Sequence, residues 1–262
     1  MLLLRLLCRC ANSCAGIVAV WWSMRVLDLF SGIGGFSLGL ERAGMESVAF
    51  CEFDKHAQKV LKKHWPDVPI YDDVRTLDGK QFRGSIDVVC GGFPCQDLST
   101  AGKQSGFDGE RSSLYTEMLR IISECLPRYA IFENVTGLLT GDRGRWFAKF
   151  LYDLAEIGYD AEWHCIKADL TGIPTHRDRV WILAYPAEKH VAQVVDEGRL
   201  SSELRRMGAA HISRTGWSVD QCRMGRGVDG IPDETHRFEQ LGNSVVPQIP
   251  EAIGKAIMES LL

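Results

Sequence analysis

The sequence predicts an α/β fold in which a parallel sheet carries helices on both faces. Short apolar runs alternate with stretches of helical periodicity: RVLDLF, SVAFCEF and IDVVCGG are the first such runs, and helices are expected over 36–43 and 55–64. This alternation is typical of parallel sheets with crossover helices. Because ligands bind at the carboxyl ends of such strands, we expect one crevice lined by the turns after Phe30, Phe50, Cys90 and Phe132.

The later part of the chain continues this pattern and then departs from it. The runs YAIFENV, AEWHCIKA and RVWILAYP predict further strands, and a helix is expected from about Arg145 to Ile157. From Ala187 to Asp233 the strand-like runs give way to Gly, Arg and polar residues, while the tail VPQIPEAIGKAIMESLL has helical spacing. We therefore predict an extension over 1–23, a main domain over 24–186, a small lobe over 187–235 and a segment over 236–262 that returns to the main domain.

Composition excludes some classes of protein and leaves others open. A formal net charge of −4 gives no overall basic signature, so contacts to nucleic acid would have to come from local clusters of Arg and Lys. The nine cysteines are scattered without metal-ligand spacing, which favours reduced thiols and predicts no metal site.

The first 22 residues form an apolar segment interrupted by Arg5, Arg9 and Asn12, too short for a good membrane span. We interpret Met24 as the natural start of translation and the first 23 residues as an upstream extension that is disordered or loosely packed. An export signal is the alternative.

A glycine turn follows the first predicted strand. In DLFSGIGGF, from Asp28 to Phe36, glycines let the backbone approach a ligand at the start of a helix. Ser37 stands at the third glycine position of a dinucleotide fingerprint, which argues against a nicotinamide. Glu52 is placed to accept from ribose hydroxyls, and a carboxylate at Asp72 or Asp73 could accept from an adenine amino group. Taken singly these acids could be helix caps or surface charges, but their order indicates an adenosine site.

A second turn presents a cysteine. In GGFPCQDLS, Pro94 and the paired glycines form a tight loop at a strand end and direct Cys95 into the predicted crevice. Most cysteines are small buried hydrophobes, and we interpret Cys51, Cys90, Cys125 and Cys165 in that way.

Taken in order, DLFSGIGGF, CEFD, GGFPCQDLS, FENV, the RDR of HRDRVWILAYP, and LGNSVVPQ resemble the motifs of cytosine-5 DNA methyltransferases over roughly residues 24 to 258. The resemblance implies a Rossmann-like methyltransferase sheet that uses S-adenosylmethionine, with a small inserted or C-terminal target-recognition lobe. It also implies double-stranded DNA as partner, a cognate restriction endonuclease, and a cytoplasmic monomer of bacterial or phage origin.

The chemistry of that family explains the residue types. A thiolate, here from Cys95, adds to carbon 6 of cytosine so that carbon 5 can attack a methyl sulfonium. A carboxylic acid that donates to ring nitrogen 3, for which Glu133 is the candidate, stabilises the charge that develops. The resemblance places Arg177 and Arg179 in the same pocket, where a guanidinium favours the thiolate.

The resemblance also implies binding residues. The cofactor pocket would be formed by Asp28, Phe30, Gly32, Gly34, Glu52, Phe53, Asp73, Val74, Pro94, Leu114, Asn243 and Ser244. DNA would be contacted by Gln96, Ser99, Gln104, Arg177 and Arg226. Because the target base must be flipped out of the duplex, we expect the Gly-rich and Ser-rich loop from Gln96 to Ser113 to close over the DNA.

Three other functions fit parts of the pattern. A nicotinamide-dependent oxidoreductase could use the same class of sheet, but the Pro-Cys-Gln loop argues against it. A branch of the family methylates tRNA and usually has a second proline before the Pro-Cys pair, where this chain has Phe93. The third alternative is a catalytically silent DNA-binding relative, but Cys95, Glu133, Arg177 and Arg179 are all present in this chain.

Overall fold

The computed structural model describes residues 23–94, 114–172, 177–189, 194–215 and 244–261. Residues 1–22 of the predicted extension over 1–23, and about half of the predicted lobe over 187–235, therefore lie outside the described residues. In the described part, seven strands form one sheet in the order β3-β2-β1-β4-β5-β7-β6. They are β1 (Arg25–Leu29), β2 (Glu46–Cys51), β3 (Ile70–Tyr71), β4 (Val88–Gly91), β5 (Tyr129–Val135), β6 (Tyr159–Lys167) and β7 (Asp178–Pro186).

Helices lie between these strands and after them. They are α1 (Gly35–Arg42), α2 (Lys55–His64), α3 (Leu114–Cys125), α4 (Gly137–Thr140), α5 (Arg145–Glu156), α6 (Glu197–Thr215) and α7 (Gln248–Ser260). Short 3-10 turns occur at Gly79–Phe82, Gly141–Gly144, Ala168–Thr171 and Ala187–Lys189. Helix α2 begins where Asp54 caps it, since its Oδ1 accepts from the backbone N–H groups of His56 and Ala57 at 2.6 and 3.3 Å.

The predicted α/β class is confirmed, with one departure from a fully parallel sheet. The pairs β1–β2, β2–β3, β1–β4 and β4–β5 are parallel, but β7 runs antiparallel to both β5 and β6. The link from β6 to β7 spans only residues 168–177, and its described part holds the 3-10 turn Ala168–Thr171. Because a parallel return needs a connection of about a dozen or more residues, this short link forces a hairpin.

Alternate residues of the strands enter two separate cores. From β1, Val26 joins the face covered by α1, α6 and α7, whereas Leu27 joins the face covered by α3, α4 and α5. Both side chains are fully buried. This alternation on every central strand is why the runs read as continuous apolar stretches in the sequence.

Helix α6 changes the interpretation of the small lobe over 187–235. Its Leu200 and Leu204, one helical turn apart, are 5% and 0% exposed and pack in the same core as Val26 and Ile253 of α7. The apolar stripe of α6 that contains Leu200 and Leu204 is therefore packed on the sheet, because it needs that face for burial. Residues 190–193 and 216–235 of the predicted lobe lie outside the described residues.

The four cysteines interpreted as buried hydrophobes divide into two groups. Cys51, Cys90 and Cys125 are buried, as predicted. The prediction was wrong for Cys165, which is exposed because it lies on β6, the last strand of the sheet. Among the described residues no helix is both long and apolar enough to cross a membrane.

Candidate active site

The glycine turn between β1 and α1 has an unusual backbone. Phe30, Gly32 and Gly34 have φ angles of 53°, 54° and 88°, which is the left-handed region. A Cβ added to Gly34 would lie 2.6 Å from the Trp65 ring, so only glycine fits there. A Cβ on Gly32 would meet no atom within 4 Å, so this part of the turn faces open space. Phe30 holds a strained conformation at the same edge.

Glu52 fixes this turn from the end of β2. Its Oε2 accepts from the backbone N–H of Gly32 at 2.7 Å, and its Oε1 accepts from the N–H of Asp54 at 2.7 Å. The carboxylate thus ties the glycine turn to the start of α2. Burial raises the pKa of Glu52, while these two hydrogen bonds oppose the rise. An ionised carboxylate has about four acceptor positions, so Glu52 can also accept from a ligand hydroxyl.

Next to Glu52 lie an aromatic ring and two further acids with different surroundings. The side chain of Phe53 is 73% exposed, which is unusual for a phenylalanine. Asp72 is exposed and pairs with Lys55 at 2.7 Å. Asp73 pairs with Arg75 at 2.7 Å, and the hydrogen bond from that guanidinium lowers the pKa of its carboxyl. Asp73 also directly precedes the buried Val74.

Asp28 was predicted to touch the cofactor, and the structure contradicts a side-chain contact. Its carboxyl is 0% exposed, and its Oδ2 accepts from the hydroxyl of Ser37 at 2.7 Å. Asp28 is on the β1 face that α1 covers, because the alternation of the strand directs it opposite to Leu27 and Leu29. Burial raises its pKa to about 7. Asp28 therefore holds α1 against the sheet and does not line the crevice.

The second half of the site is centred on Glu133, at the end of β5. Its side chain is 11% exposed, and its Oε1 lies 3.0 Å from Nε of Arg179 and 3.8 Å from Nη2 of Arg177. Burial raises the pKa of Glu133 and the two guanidinium groups oppose the rise. Burial, together with Arg179, lowers the pKa of Arg177. The β5–β7 pairing explains the cluster, since Arg179 lies opposite Val135 at the start of the antiparallel strand.

The loop that leads from β4 to Cys95 passes directly over this carboxyl group. A Cβ added to Gly92 would lie 3.0 Å from Oε2 of Glu133, so the backbone at Gly92 packs on the acid itself. The chain is described through Pro94, which is half-buried. Cys95 follows Pro94 in sequence and lies outside the described residues.

Asn134 is a site residue that sequence reasoning missed. It is 2% exposed; its Nδ2 donates to the carbonyl of Phe93 at 3.2 Å, and its Oδ1 accepts from the N–H of Val135 at 2.8 Å. Phe93 in turn stacks on Phe150, with ring centroids 5.8 Å apart. Asn134 therefore holds the loop before Pro94 against β5. A polar residue inside the apolar run YAIFENV was the available signal, because a buried amide needs partners.

The C-terminal segment reaches both halves of the site. Arg177 Nη1 donates to the carbonyl of Ser244 at 2.7 Å. A Cβ on Gly35 would lie 2.5 Å from the carbonyl oxygen of Val245, and one on Gly39 would lie 2.3 Å from that of Pro247. The last described segment thus rests on the glycines of α1, which places Ser244 between the glycine turn and the arginines.

Most of the residues predicted for the site lie within the described part of the chain. Leu114 begins α3 and is half-buried against the core that contains Val74. Glu52, Phe53, Asp73 and the open backbone at Gly32 form a set that suits an adenosine: carboxylates for amino and hydroxyl groups, and an exposed ring for the base. The predicted residues that lie outside the described part are Cys95, Gln96, Ser99, Gln104, Arg226 and Asn243. Within the described ranges, no group of His, Cys, Asp and Glu could hold a metal ion.

Comparisons of this sequence with known proteins agree on one family. Residues 24–216 match the family described as C-5 cytosine-specific DNA methylase. The chain is 41% identical over 161 residues to type II methyltransferase M.Eco47II of Escherichia coli, an alignment that covers 61% of this chain and 39% of that protein. It is 39% identical over 165 residues to type II methyltransferase M2.BsuMI of Bacillus subtilis, covering 62% and 42%. The aligned part is thus about two fifths of the length of these curated relatives.

A solved structure agrees with the sequence matches. A crystal structure of an E. coli prophage-encoded protein, described as a DNA modification methyltransferase, superposes with a TM-score of 0.56 at 29% identity. The superposition covers 68% of this chain and 50% of that chain.

Proposed function

Since the chain belongs to the C-5 cytosine-specific DNA methylase family, we propose that it transfers a methyl group from S-adenosylmethionine to carbon 5 of cytosine in double-stranded DNA. One observation supports this proposal more strongly than the others. A nearly buried carboxyl, Glu133, lies between Arg177 and Arg179 and under the backbone of Gly92, in the loop that leads to Cys95.

Cys95 supplies the nucleophile in this proposal. Its thiolate adds to carbon 6 of the cytosine, and the electron pair of the carbon 5–carbon 6 double bond moves into the ring. Carbon 5 becomes nucleophilic and would take the methyl group as the bond from that methyl to the sulfonium sulfur breaks, with the electron pair left on sulfur as a neutral thioether. Loss of the carbon 5 proton to a base then restores the double bond and expels the thiolate.

Glu133 supplies the acid. Addition of the thiolate places negative charge on the ring, and a proton donated to ring nitrogen 3 neutralises that charge. Because burial raises the pKa of Glu133, the carboxyl retains its proton at a higher pH than an exposed glutamate. Arg179 and Arg177 orient the carboxyl and stabilise the carboxylate that donation leaves. This carboxylate would take the proton back from ring nitrogen 3 when the thiolate is expelled.

The cofactor would be held by the first half of the site. Glu52 would accept from the ribose hydroxyls, Asp73 from the adenine amino group, and Phe53 would lie against the base. When bound there, S-adenosylmethionine supplies an electrophilic methyl group to the activated carbon. The open backbone at Gly32 and the carbonyl-lined segment at Ser244 would border it, with Asn243 from outside the described residues.

Except for Arg177, the residues that we propose to contact DNA lie outside the described part. We propose that Gln96, Ser99 and Gln104 contact the duplex around the flipped base and that Arg226 contacts phosphate or guanine. A cognate restriction endonuclease would be the functional partner; the relatives are themselves named type II methyltransferases. The enzyme would act as a cytoplasmic monomer.

The proposal is tested by transfer of tritium from labelled S-adenosylmethionine to mixed-sequence duplex DNA, beside tRNA, followed by bisulfite sequencing. We expect label in DNA at cytosines of one short motif, and none with Cys95→Ala. Cys51→Ala is the matched control, because that thiol is buried under the first half of the site. Label only in tRNA, or label that survives Cys95→Ala, would overturn the proposed reaction.

A further inference from the structure

The segment that follows β3 carries Asp73 but has little regular structure of its own. Strand β3 ends at Tyr71, and the next residues are held by local turns, in which the N–H groups of Thr76 and Leu77 donate to the carbonyls of Asp73 and Val74 at 3.2 and 3.4 Å. Within the segment, the backbone N–H and the guanidinium of Arg75 hold the Asp73 carboxylate at 2.7 to 3.1 Å. These local contacts do not fix the segment relative to the rest of the protein, so contacts from outside the segment must hold it in place.

Arg120 of α3 supplies that support. Its Nη2 donates to the carbonyl of Val74 at 2.9 Å, and its Nη1 donates to the carbonyl of Leu77 at 3.0 Å. One planar guanidinium thus engages both ends of the turn that follows Asp73. The rigid fork of arginine suits this geometry, and a lysine ammonium does not reproduce it.

The guanidinium is itself held in place by two acids on the same helix. Arg120 Nε donates to Glu117 at 2.8 Å, and Nη1 donates to Glu124 at 3.0 Å. These are neighbours three and four residues apart on one face of α3, where such pairs meet. Hydrogen bonds and charge from both acids raise the pKa of Arg120, against the effect of burial.

Glu124 adds a third attachment to the segment. Its Oε2 accepts from the backbone N–H of Gly79 at 2.8 Å. A Cβ on Gly79 would lie 2.7 Å from the same oxygen and 3.1 Å from the carbonyl of Ile121, so the backbone approaches α3 as closely as a glycine allows. Val74, Leu77 and Gly79 are therefore all fastened to α3 by the Arg120–Glu124 pair.

We propose that Arg120 is a positioning residue for the adenosine half of the site, which fixes the segment 73–79 so that the Asp73 carboxylate meets the adenine amino group. The inference rests on the proposed function, since it assigns a role toward the same cofactor. Arg120 contacts no cofactor itself and acts through the carbonyls of Val74 and Leu77.

The test compares binding of S-adenosylhomocysteine and of S-inosylhomocysteine, which lacks the purine amino group, by calorimetry without DNA. Wild type should prefer the adenosine ligand. Arg120→Met should bind it about 10-fold to 100-fold more weakly and lose most of the preference, because hydrogen bonds from a charged group are removed. Arg120→Lys keeps the charge, so its affinity for S-adenosylhomocysteine should lie between those of wild type and Arg120→Met. Arg206→Met is the matched control, because Arg206 forms a similar pair with Glu203 on α6.

A second readout does not need the ligand. In hydrogen exchange of the ligand-free protein, residues 74–79 should exchange faster in both Arg120 variants, while β1 and β4 stay unchanged. If wild type binds neither ligand, the proposed function fails. If wild type discriminates between the ligands and both Arg120 variants retain that preference and the slow exchange, the positioning role fails and the proposed function stands. Should Arg120→Met not fold, Arg120→Lys decides the matter in the same way.

Discussion

The two halves of the site are built by different means. In the proposed adenosine half, Gly32, Glu52 and Asp73 follow three adjacent parallel strands at a partly open edge. Glu52 accepts from the backbone N–H of Gly32, and Asp73 accepts from the backbone N–H of Arg75. The catalytic half joins Glu133, Arg177 and Arg179 from β5 and the start of β7, with the charged groups largely removed from water. The first half therefore depends on the shape of short local turns, whereas the second depends on buried charge.

This difference predicts which single substitution should lower the rate of methyl transfer most. Replacing Glu133 by Gln keeps its shape but removes the acid, so methyl transfer to DNA should fall by about 10²-fold to 10⁴-fold. Binding of S-adenosylhomocysteine should change little, because the adenosine half does not use this carboxyl. Single-turnover rates and calorimetry on the same preparation measure the two quantities. Glu162→Gln is the control, a half-buried glutamate that accepts from the Val195 N–H. Equal loss of binding and rate would show that the halves are not separate.

Asp28 lies beneath both halves, since β1 pairs with β2 on one side and with β4 on the other. Burial raises its pKa from 3.8 to about 7, so the folded protein holds this proton more tightly than the unfolded chain does. Ionising the carboxyl therefore costs stability as pH rises from about 4 to about 7, and the loss levels off above that. A pKa difference of this size corresponds to about 4 kcal/mol at most.

Asp28→Asn should remove this dependence. The amide remains neutral and its oxygen can still accept from Ser37. The free energy of unfolding of the variant, relative to wild type, should increase with pH between about 4 and 7 and then stay constant. Urea titrations at several pH values measure it. A difference that is flat or that decreases with pH would contradict the assignment of the buried proton to Asp28.

Gly92 tests how closely the loop before Cys95 must pack on the acid. In Gly92→Ala the new Cβ would lie 3.0 Å from Oε2 of Glu133, so the carboxyl or the loop must shift by a few tenths of an ångström. We expect transfer rates to fall by about 10-fold, less than for Glu133→Gln, since misplacement costs less than removal of the acid. Gly198→Ala on α6 is the control, with Asp196 Oδ1 at 3.3 Å from the added carbon. An unchanged rate in Gly92→Ala would show that the contact is not needed.

The two halves also differ in how far sequence could predict them. The turns after β1, β2 and β3 are local, so DLFSGIGGF, Glu52 and Asp73 could be ordered along one sheet edge from strand alternation alone. The direction of the Asp28 side chain could not, because it depends on which face α1 covers. Nor could the sequence alone predict the antiparallel β7 that brings Arg179 to Glu133, the role of Asn134, or the packing of α6, since each depends on contacts between distant segments.

The adenosine half offers a matched pair of acids for the smallest expected effect. Asp72 and Asp73 are adjacent in sequence, yet Asp72 pairs with Lys55 at the exposed surface while Asp73 belongs to the segment that Arg120 holds. Asp73→Ala should weaken binding of S-adenosylhomocysteine by about 10-fold, the value of one hydrogen bond to a charged acceptor. Asp72→Ala should leave that affinity within about 2-fold, because a surface ion pair contributes little. Calorimetry on both variants measures these affinities, and a larger loss of affinity for Asp72→Ala would contradict the assignment of Asp73. The adenine amino group would then donate to the exposed Asp72, and the contacts of Arg120 would serve only the fold.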